Sequence, residues 1–384
     1  MRTNISTSIT AIDPQAWDAL DAHGSPFLRH AFLAALENTG CVAGASGWHP
    51  APVTLHDARG LAAAAPAYVK ANSFGEFVFD FSWAQAYAQH GLAYYPKLVL
   101  GVPFTPASGA RLLVRPDLDV MEMRTQLIAA IREFAQARNF SSIHGLFVAD
   151  ADRAALAADG WLARHDVQFH WHNRQYRDFD HYLETFTADK RKKAKRERRR
   201  VAEDGIRFET LLGGELDRKT IDEVYDLHRD TFLRHGHEPY LSRAFFRAMP
   251  KALGDHFMVK RARLQEQTLA AAVFFWSMDA LYGRYWGAVE QHHSLHFETC
   301  YHQGIEFCIE RGIARFEPGT QGEHKVSRGF VPEKTWSMHW IVDPRFRDAI
   351  GDYLRREGAH VDQYAREIAA HVPYRDARRD ARSK

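Results

Sequence analysis

Between Gly319 and Arg328 the chain gathers Gln321, Glu323, His324, Lys325 and Arg328, with glycines at 319 and 322. Acylating an amine needs a base for the attacking ammonium, donors for the tetrahedral oxyanion and, for a phosphorylated carrier, positive charge. Glu323 or His324 suits the base. Lys325 and Arg328 suit a phosphate or carboxylate, and Gln321 and Gly322 stand within reach of the same substrate. A solvated surface turn is the competing reading. Against it, the loop follows a short strand, Arg315 to Glu317, directly.

Other groups fall around this loop. Arg284 and Trp286 occupy alternate positions of a strand and share a face, with Tyr285 on the other. Glu298 and Tyr301 are three apart on the next helix and face the same side. Either set lines a cleft or packs internally, with Glu298 or Glu317 as the partner Arg284 needs. In the first half, Asp80, Trp83, Tyr95 and Lys97 form an equivalent aromatic and polar cluster, suited to a concave pocket or to an ordinary core edge. The loop Pro103 to Pro106 shapes it through two rigid prolines.

A third feature is electrostatic. Between Asp189 and Arg200 there are nine Lys or Arg against two acids, a local +7 in a chain whose net charge is +2, so the remainder sums to −5. The segment reads as a helix from a cap at Thr187 or Asp189 to Gly205. Its Lys190, Arg191, Lys193, Arg196 and Arg199 are candidates for a polyanion: a tRNA, a nucleotide-linked precursor or an anionic membrane surface. A long solvated helix is the alternative. His235-Gly-His237 and His292-His293-x-x-His296 lack metal-site spacing and a suitably placed acid, so no metal is expected. Nucleophile-elbow, Walker and Rossmann patterns are absent.

The elements that must position these groups alternate. The first half reads as a strand at Ile5 to Ile9, helices at Pro14 to Leu20 and Phe27 to Asn38, a hairpin from Pro52 to Val69, a helix from Ser82 to Gln89 with Ser82 as cap, and a strand after Lys97. A helix capped by Asp117 runs to Arg138, followed by a strand at Ile143 to Val148, a helix at Asp150 to Asp159 and a strand at His165 to Trp171. The second half reads as a strand at Ile206 to Leu211, helices at Asp217 to Arg234 and Leu241 to Met249, and strands at Phe257 to Arg263, Leu269 to Trp276 and Leu281 to Val289. A helix from His296 to Arg311, the short strand with its loop, and a last helix from Pro344 to about His371 complete it. The element order suggests two α+β domains, 1–175 and 176–372, with mixed sheets and a polar, disordered tail at 373–384.

Composition sets the outer bounds. The chain has 384 residues, 46% hydrophobic and 26% charged, which suffices for two globular domains. No apolar run reaches the roughly 18 residues of a membrane span and the N-terminus lacks a signal pattern. Cys41, Cys300 and Cys308 form no CxxC pair, so a reducing, cytoplasmic compartment is expected.

Four blocks, NSFGEFVFDFSWAQAYAQHGLAYYPKLVLGVPFTP, GRYWGAVE, LHFETCYHQGIEFCIERG and FEPGTQGEHKVSRGF, resemble a bacterial family of predicted N-acyltransferases. That family is related to the Fem-type peptidoglycan aminoacyl transferases and, more distantly, to the GNAT superfamily. The resemblance runs from about Pro26 to Trp340. It implies two tandem GNAT-like domains and transfer of an acyl or aminoacyl group to a small-molecule or peptide amine, linked to peptidoglycan precursors. One departure stands out: the Arg/Gln-x-x-Gly-x-Gly/Ala turn that holds the coenzyme A pyrophosphate in GNAT proteins is missing at the strand-to-helix junctions. The donor is therefore open between acyl-CoA, an aminoacyl-tRNA, as in Fem-type enzymes, and another activated acyl carrier. A non-catalytic module that recognises peptidoglycan precursor or RNA is the other reading of the fold. The expected site is a cleft shared by the two halves.

Overall fold

The structure, a computed structural model, describes residues 1–20, 24–289, 292, 294–320 and 322–375. Chain contacts divide it into two compact units, 1–166 with 334–361 and 167–333 with 362–384. This differs from a single boundary near 175. The reason is a strand, Val331–Ile341, absent from the sequence-based element list, whose 338–341 part pairs antiparallel with Ser142–Gly145 of the first unit.

In the first unit, Arg2–Ile5, Val53–Asp57, Gly60–Ala65 and Leu113–Val114 make a four-stranded antiparallel sheet. The expected strand at Ile5 to Ile9 lies earlier, and Ile9–Ala11 is a 3-10 turn. The expected hairpin is one strand pair plus a departure. Pro66 supplies no N–H for a ladder, and after it Ala67–Lys70 joins a second sheet. There it runs antiparallel to Trp48–Pro50 on one side and Lys97–Leu100 on the other. Lys97–Leu100 pairs in parallel with Ser142–Gly145. Leu98, Leu100, Leu127, Ile131, Ile143 and Leu156 are buried together between sheet and helix Val120–Ala137. That helix is capped by Asp119, whose carboxylate accepts from the Glu122 N–H, and not by Asp117.

The second unit is built on an antiparallel meander, Arg207–Leu212, Phe257–Leu264, Gln267–Trp276 and Ala280–Ala288. Arg315–Glu317 adds to the last strand in parallel, and residues 171–172 pair with its other edge. Helix Arg218–Arg234 lies so close to strand Ala280–Ala288 that a Cβ on Gly287 would sit 2.2 Å from the Leu227 carbonyl carbon. Only glycine permits that approach. The basic helix forms at Ala188–Glu203, burying Ala194 and Val201. The run read as one helix from His296 is broken: Leu295–Phe297 leads into a π-helical turn, Glu298–His302, before Gln303–Arg311. The first residues of the expected tail, 373–375, are placed. Tyr374 is buried and bridges to Phe186, while 376–384 lie outside the described residues.

Candidate active site

Strand Ala280–Ala288 pairs with Arg315–Glu317 only through Ala280, Leu281 and Tyr282. Beyond Glu317 the chain turns at Pro318 and at Gly319, whose φ is 97°, and the parallel strands part. Gly283 lets the turn pass: a Cβ there would stand 3.2 Å from the Pro318 Cα. The next strand contributes a register shift between Val273 and Phe274. A cavity of about 80 Å³ opens at this parting, lined among others by Gly283, Arg284, Trp286, His296, Tyr301 and Pro318. A larger one of about 670 Å³ shares Trp286 and His296 with it and is bounded further by Thr231, Arg234, His235 and His292. Both lie within the second unit.

Alternation along the strand places Trp286 against the His296 ring at 5.1 Å, while the Tyr285 ring meets His228 and Phe246 on the helix side. Arg284 and Trp286 are among the residues lining the cavity, and so is Tyr285 between them. The π turn decides what the helix presents. An extra residue per turn re-aims side chains and recurs at functional sites, and here it separates Tyr301 from Glu298. Tyr301 faces the cavity, and its hydroxyl lies 2.8 Å from His324 Nε2. Glu298 turns to the basic helix, where its Oε1 accepts from Arg198 at 3.1 Å and from Gln303 at 2.8 Å. The expected shared cleft face is not formed, and Glu298 is not the partner of Arg284.

The loop is more ordered than its glycines suggested. Residues Glu323–Arg328 wind into a 3-10 helix. Its end is pinned by two buried tyrosines: the Tyr182 hydroxyl donates to the Arg328 carbonyl at 2.7 Å and the Tyr374 hydroxyl to the Gly329 carbonyl at 2.6 Å. Arg328 donates to both carboxylate oxygens of Glu197 at 3.0 Å and to the His324 carbonyl at 2.8 Å, with its guanidinium 3.4 Å above the Phe297 ring. Arg328 is therefore an internal clamp and not an open phosphate hook. Lys325 is buried and donates to the Gly319 carbonyl at 2.6 Å. Burial pushes its pKa down to about 7. His324 is exposed on one side, and burial of the other, with the charges of Lys325 and Arg328, holds its pKa below the usual value. The imidazole is thus neutral, and able to accept a proton, at neutral pH. Gly322 sits at φ 110°, a conformation that L side chains rarely adopt, and a Cβ there would also push on the His324 ring from 2.1 Å.

Of the two candidate bases, only His324 touches a residue of the cavity wall. Glu323 is exposed, and its carboxylate accepts from the Tyr364 hydroxyl at 2.9 Å. Gln321 lies outside the described residues.

The first-half cluster is closed. Asp80, Trp83 and Lys97 are buried and only Tyr95 keeps partial exposure. Lys97 donates to Ser73, Glu76 and Asp80, and Asp80 also accepts from the Tyr94 hydroxyl. Asp80 is the residue before helix Phe81–Gln89 but makes no capping bond; its Oδ2 takes both Lys97 and Tyr94. Ser82, the expected cap, falls inside the helix.

On the basic helix, Lys193, Arg196 and Arg199 are exposed, and Lys190 and Arg191 are half-buried. Glu197 and Arg198 point inward and tie the helix to Arg328 and to Glu298 and Glu306. Among the described residues no group of three or more His, Cys, Asp or Glu is arranged to hold a metal, and no helix is long and apolar enough to cross a membrane.

Residues 8–376 match the FemAB_like family, described as peptidoglycan biosynthesis/recognition. No curated protein matches the sequence. Among solved structures, FemX superposes with a TM-score of 0.56 at 12% identity, covering 91% of this chain and 100% of its own. A conserved protein of unknown function from Bacteroides thetaiotaomicron gives 0.53 at 11%, covering 88% and 99%. L-PGS from Bacillus licheniformis gives 0.50 at 11%, covering 80% and 90%. At such identities the likeness is one of fold. Two α+β units with mixed sheets are that fold.

Proposed function

This chain belongs to the FemAB_like family, and from that premise we propose that it transfers an aminoacyl or acyl group from an activated carrier to an amine. The observation that carries the reading is the Tyr301–His324 pair on the wall of a cavity formed where two parallel strands part.

In this mechanism the amine nitrogen attacks the carbonyl carbon of a bound ester or thioester. A C–N bond forms, the C–O or C–S bond to the carrier breaks, and the ammonium proton passes to neutral His324. Tyr301 donates its hydroxyl proton to the departing oxygen or sulfur and is reprotonated by His324, so proton count is conserved. Arg284 and Trp286 form the wall against which the acyl group lies. Lys325 acts on the turn, holding the Gly319 carbonyl, and Glu197 with Arg328 fixes the 3-10 helix that carries His324. The exposed basic side chains of Ala188–Glu203 take the carrier's phosphates, which favours aminoacyl-tRNA as donor, with acyl-CoA as the alternative. A nucleotide-linked peptide precursor in the cytoplasm is the acceptor class that fits the family description.

The test is transfer itself. Purified protein is incubated with a nucleotide-linked peptidoglycan peptide and either charged tRNA or acyl-CoA, and the peptide is weighed by mass spectrometry. A mass gain from one donor supports the reading. Tight binding of peptide or tRNA with no mass gain from either donor would mean a recognition module.

A further inference from the structure

The segment that links strand Ala67–Lys70 to helix Phe81–Gln89 is inside out. Ser73, Glu76 and Asp80 are 2–3% exposed, whereas Phe74 and Phe79 are 63% and 64% exposed and Phe81 44%. Buried polar groups and exposed large apolar ones are the informative departures from ordinary burial. What draws the polar side inward is a pair of lysines. Lys70 and Lys97 are direct cross-strand partners on neighbouring antiparallel strands, and both are fully enclosed. Like charges facing each other on a sheet repel, and each buried ammonium also loses its hydration.

The two are satisfied unequally. Lys97 donates to Ser73 Oγ at 2.9 Å, Glu76 Oε2 at 2.8 Å and Asp80 Oδ2. Lys70 reaches only the Phe74 carbonyl at 3.1 Å, the Asn72 amide oxygen at 3.4 Å and the face of Trp48 at 4.0 Å. It has no ion-pair partner among the described residues. On the loop side, Glu76 Oε1 and Asp80 Oδ1 accept no hydrogen bond within the described residues. Three buried groups are thus left short of partners at one place. A Ser73–Lys97 nucleophile is the wrong chemistry for them, since two carboxylates keep Lys97 protonated and unable to take the serine proton.

We propose that Lys70 and Lys97 form an anion-binding site that the loop's own Glu76 and Asp80 now fill, and that an oxyanion ligand, carboxylate or phosphate, takes their place as 73–80 swings outward. The loop has no ladder bonds of its own; besides its side-chain contacts, its Phe74 carbonyl accepts from Lys70 and Trp48 and its Phe79 carbonyl from Arg164 at 2.8 Å. Gly75, at φ 76°, lets it turn against the Phe104 ring, where a Cβ would lie 2.6 Å away. Self-occupancy lowers apparent affinity by the fraction of molecules open, so weakening the plug raises affinity.

Inorganic pyrophosphate and succinate serve as probes on the full chain, each radiolabelled for equilibrium dialysis, with hydrogen exchange followed in the peptide covering 71–81. One probe binds the wild type and speeds exchange at 73–80, which also tells phosphate from carboxylate. Glu76→Gln binds it on the order of tenfold more tightly, the effect of one lost charge-assisted competitor, and Lys70→Met loses binding while still unfolding cooperatively. Should Glu76→Gln not fold, the exchange measurement on wild type decides. Failure of both probes to bind or to speed exchange in the wild type, or unchanged binding in folded Lys70→Met, overturns the site.

Discussion

The Tyr301 hydroxyl and His324 Nε2 stand 2.8 Å apart, the tyrosine buried on a π-helical turn and the histidine half-open on a 3-10 turn. That one contact ties the helix face to the glycine loop at the parting of two parallel strands. It gives the loop a chemical direction that neither element has alone.

The pair predicts a split in kinetic constants for Tyr301→Phe. The phenyl ring keeps the packing against Phe297 and Phe330, so substrate binding should hold while the proton donor is lost. We expect kcat to fall by about 10²-fold, the contribution typical of one general acid, with KM within about twofold. Steady-state transfer kinetics check this, and a pure KM effect would assign Tyr301 to binding.

Lys325 makes a pH-dependent prediction. Its folded pKa is about 7 against 10.5 unfolded, so between those values the unfolded chain carries more protons and stability rises with pH. The burial cost is fully present below pH 7 and is relieved as pH climbs toward 10.5. Lys325→Met removes that cost, and we expect it to stabilise the second unit by on the order of 1 kcal/mol at pH 6. The gain should shrink by pH 9. Denaturant midpoints at the two pH values test this, and a gain that is equal at both would contradict the buried-ammonium account.

For the basic helix the prediction concerns salt. Lys193→Ala, Arg196→Ala and Arg199→Ala together remove three exposed charges and leave the inward Glu197–Arg328 and Arg198–Glu298 pairs in place. If the helix holds RNA phosphates, the slope of log K against log salt for tRNA should drop by roughly 0.7–0.9 per charge. Filter binding across a salt series reads it directly, and an unchanged slope would place RNA elsewhere.

How much of this was legible in the sequence depends on which physics wrote it. The meander from Phe257 to Ala288 and helix Arg218–Arg234 show in period and turn residues, because their order comes from local pattern. Strand Val331–Ile341 was not visible: Pro332, Glu333 and Lys334 interrupt its apolar positions, and its ladder partner at 142–145 lies almost two hundred residues away. The π turn is invisible for a different reason, as the helical spacing of residues 296–311 carries no mark of one inserted residue. Spacing put Arg284 and Trp286 on one face of a strand, and it put Glu298 beside Tyr301, which the π turn undoes. Asp80 and Lys97 did signal a polar cluster. What sequence lacked was Lys70, whose partnership with Lys97 exists only through strand register.

In the proposed mechanism His324 accepts the proton released on acyl transfer. The direct measurement is single-turnover transfer by rapid quench from pH 5 to 8, comparing wild type with His324→Ala and Glu323→Ala. His324 titrates below its usual 6.5, so the wild-type rate should fall only as pH drops beneath that value, and Glu323→Ala should follow the same curve. His324→Ala should be slower by about 10²-fold and lose that acidic limb. A His324→Ala enzyme with wild-type rate and an unchanged limb would mean that His324 is not the proton acceptor.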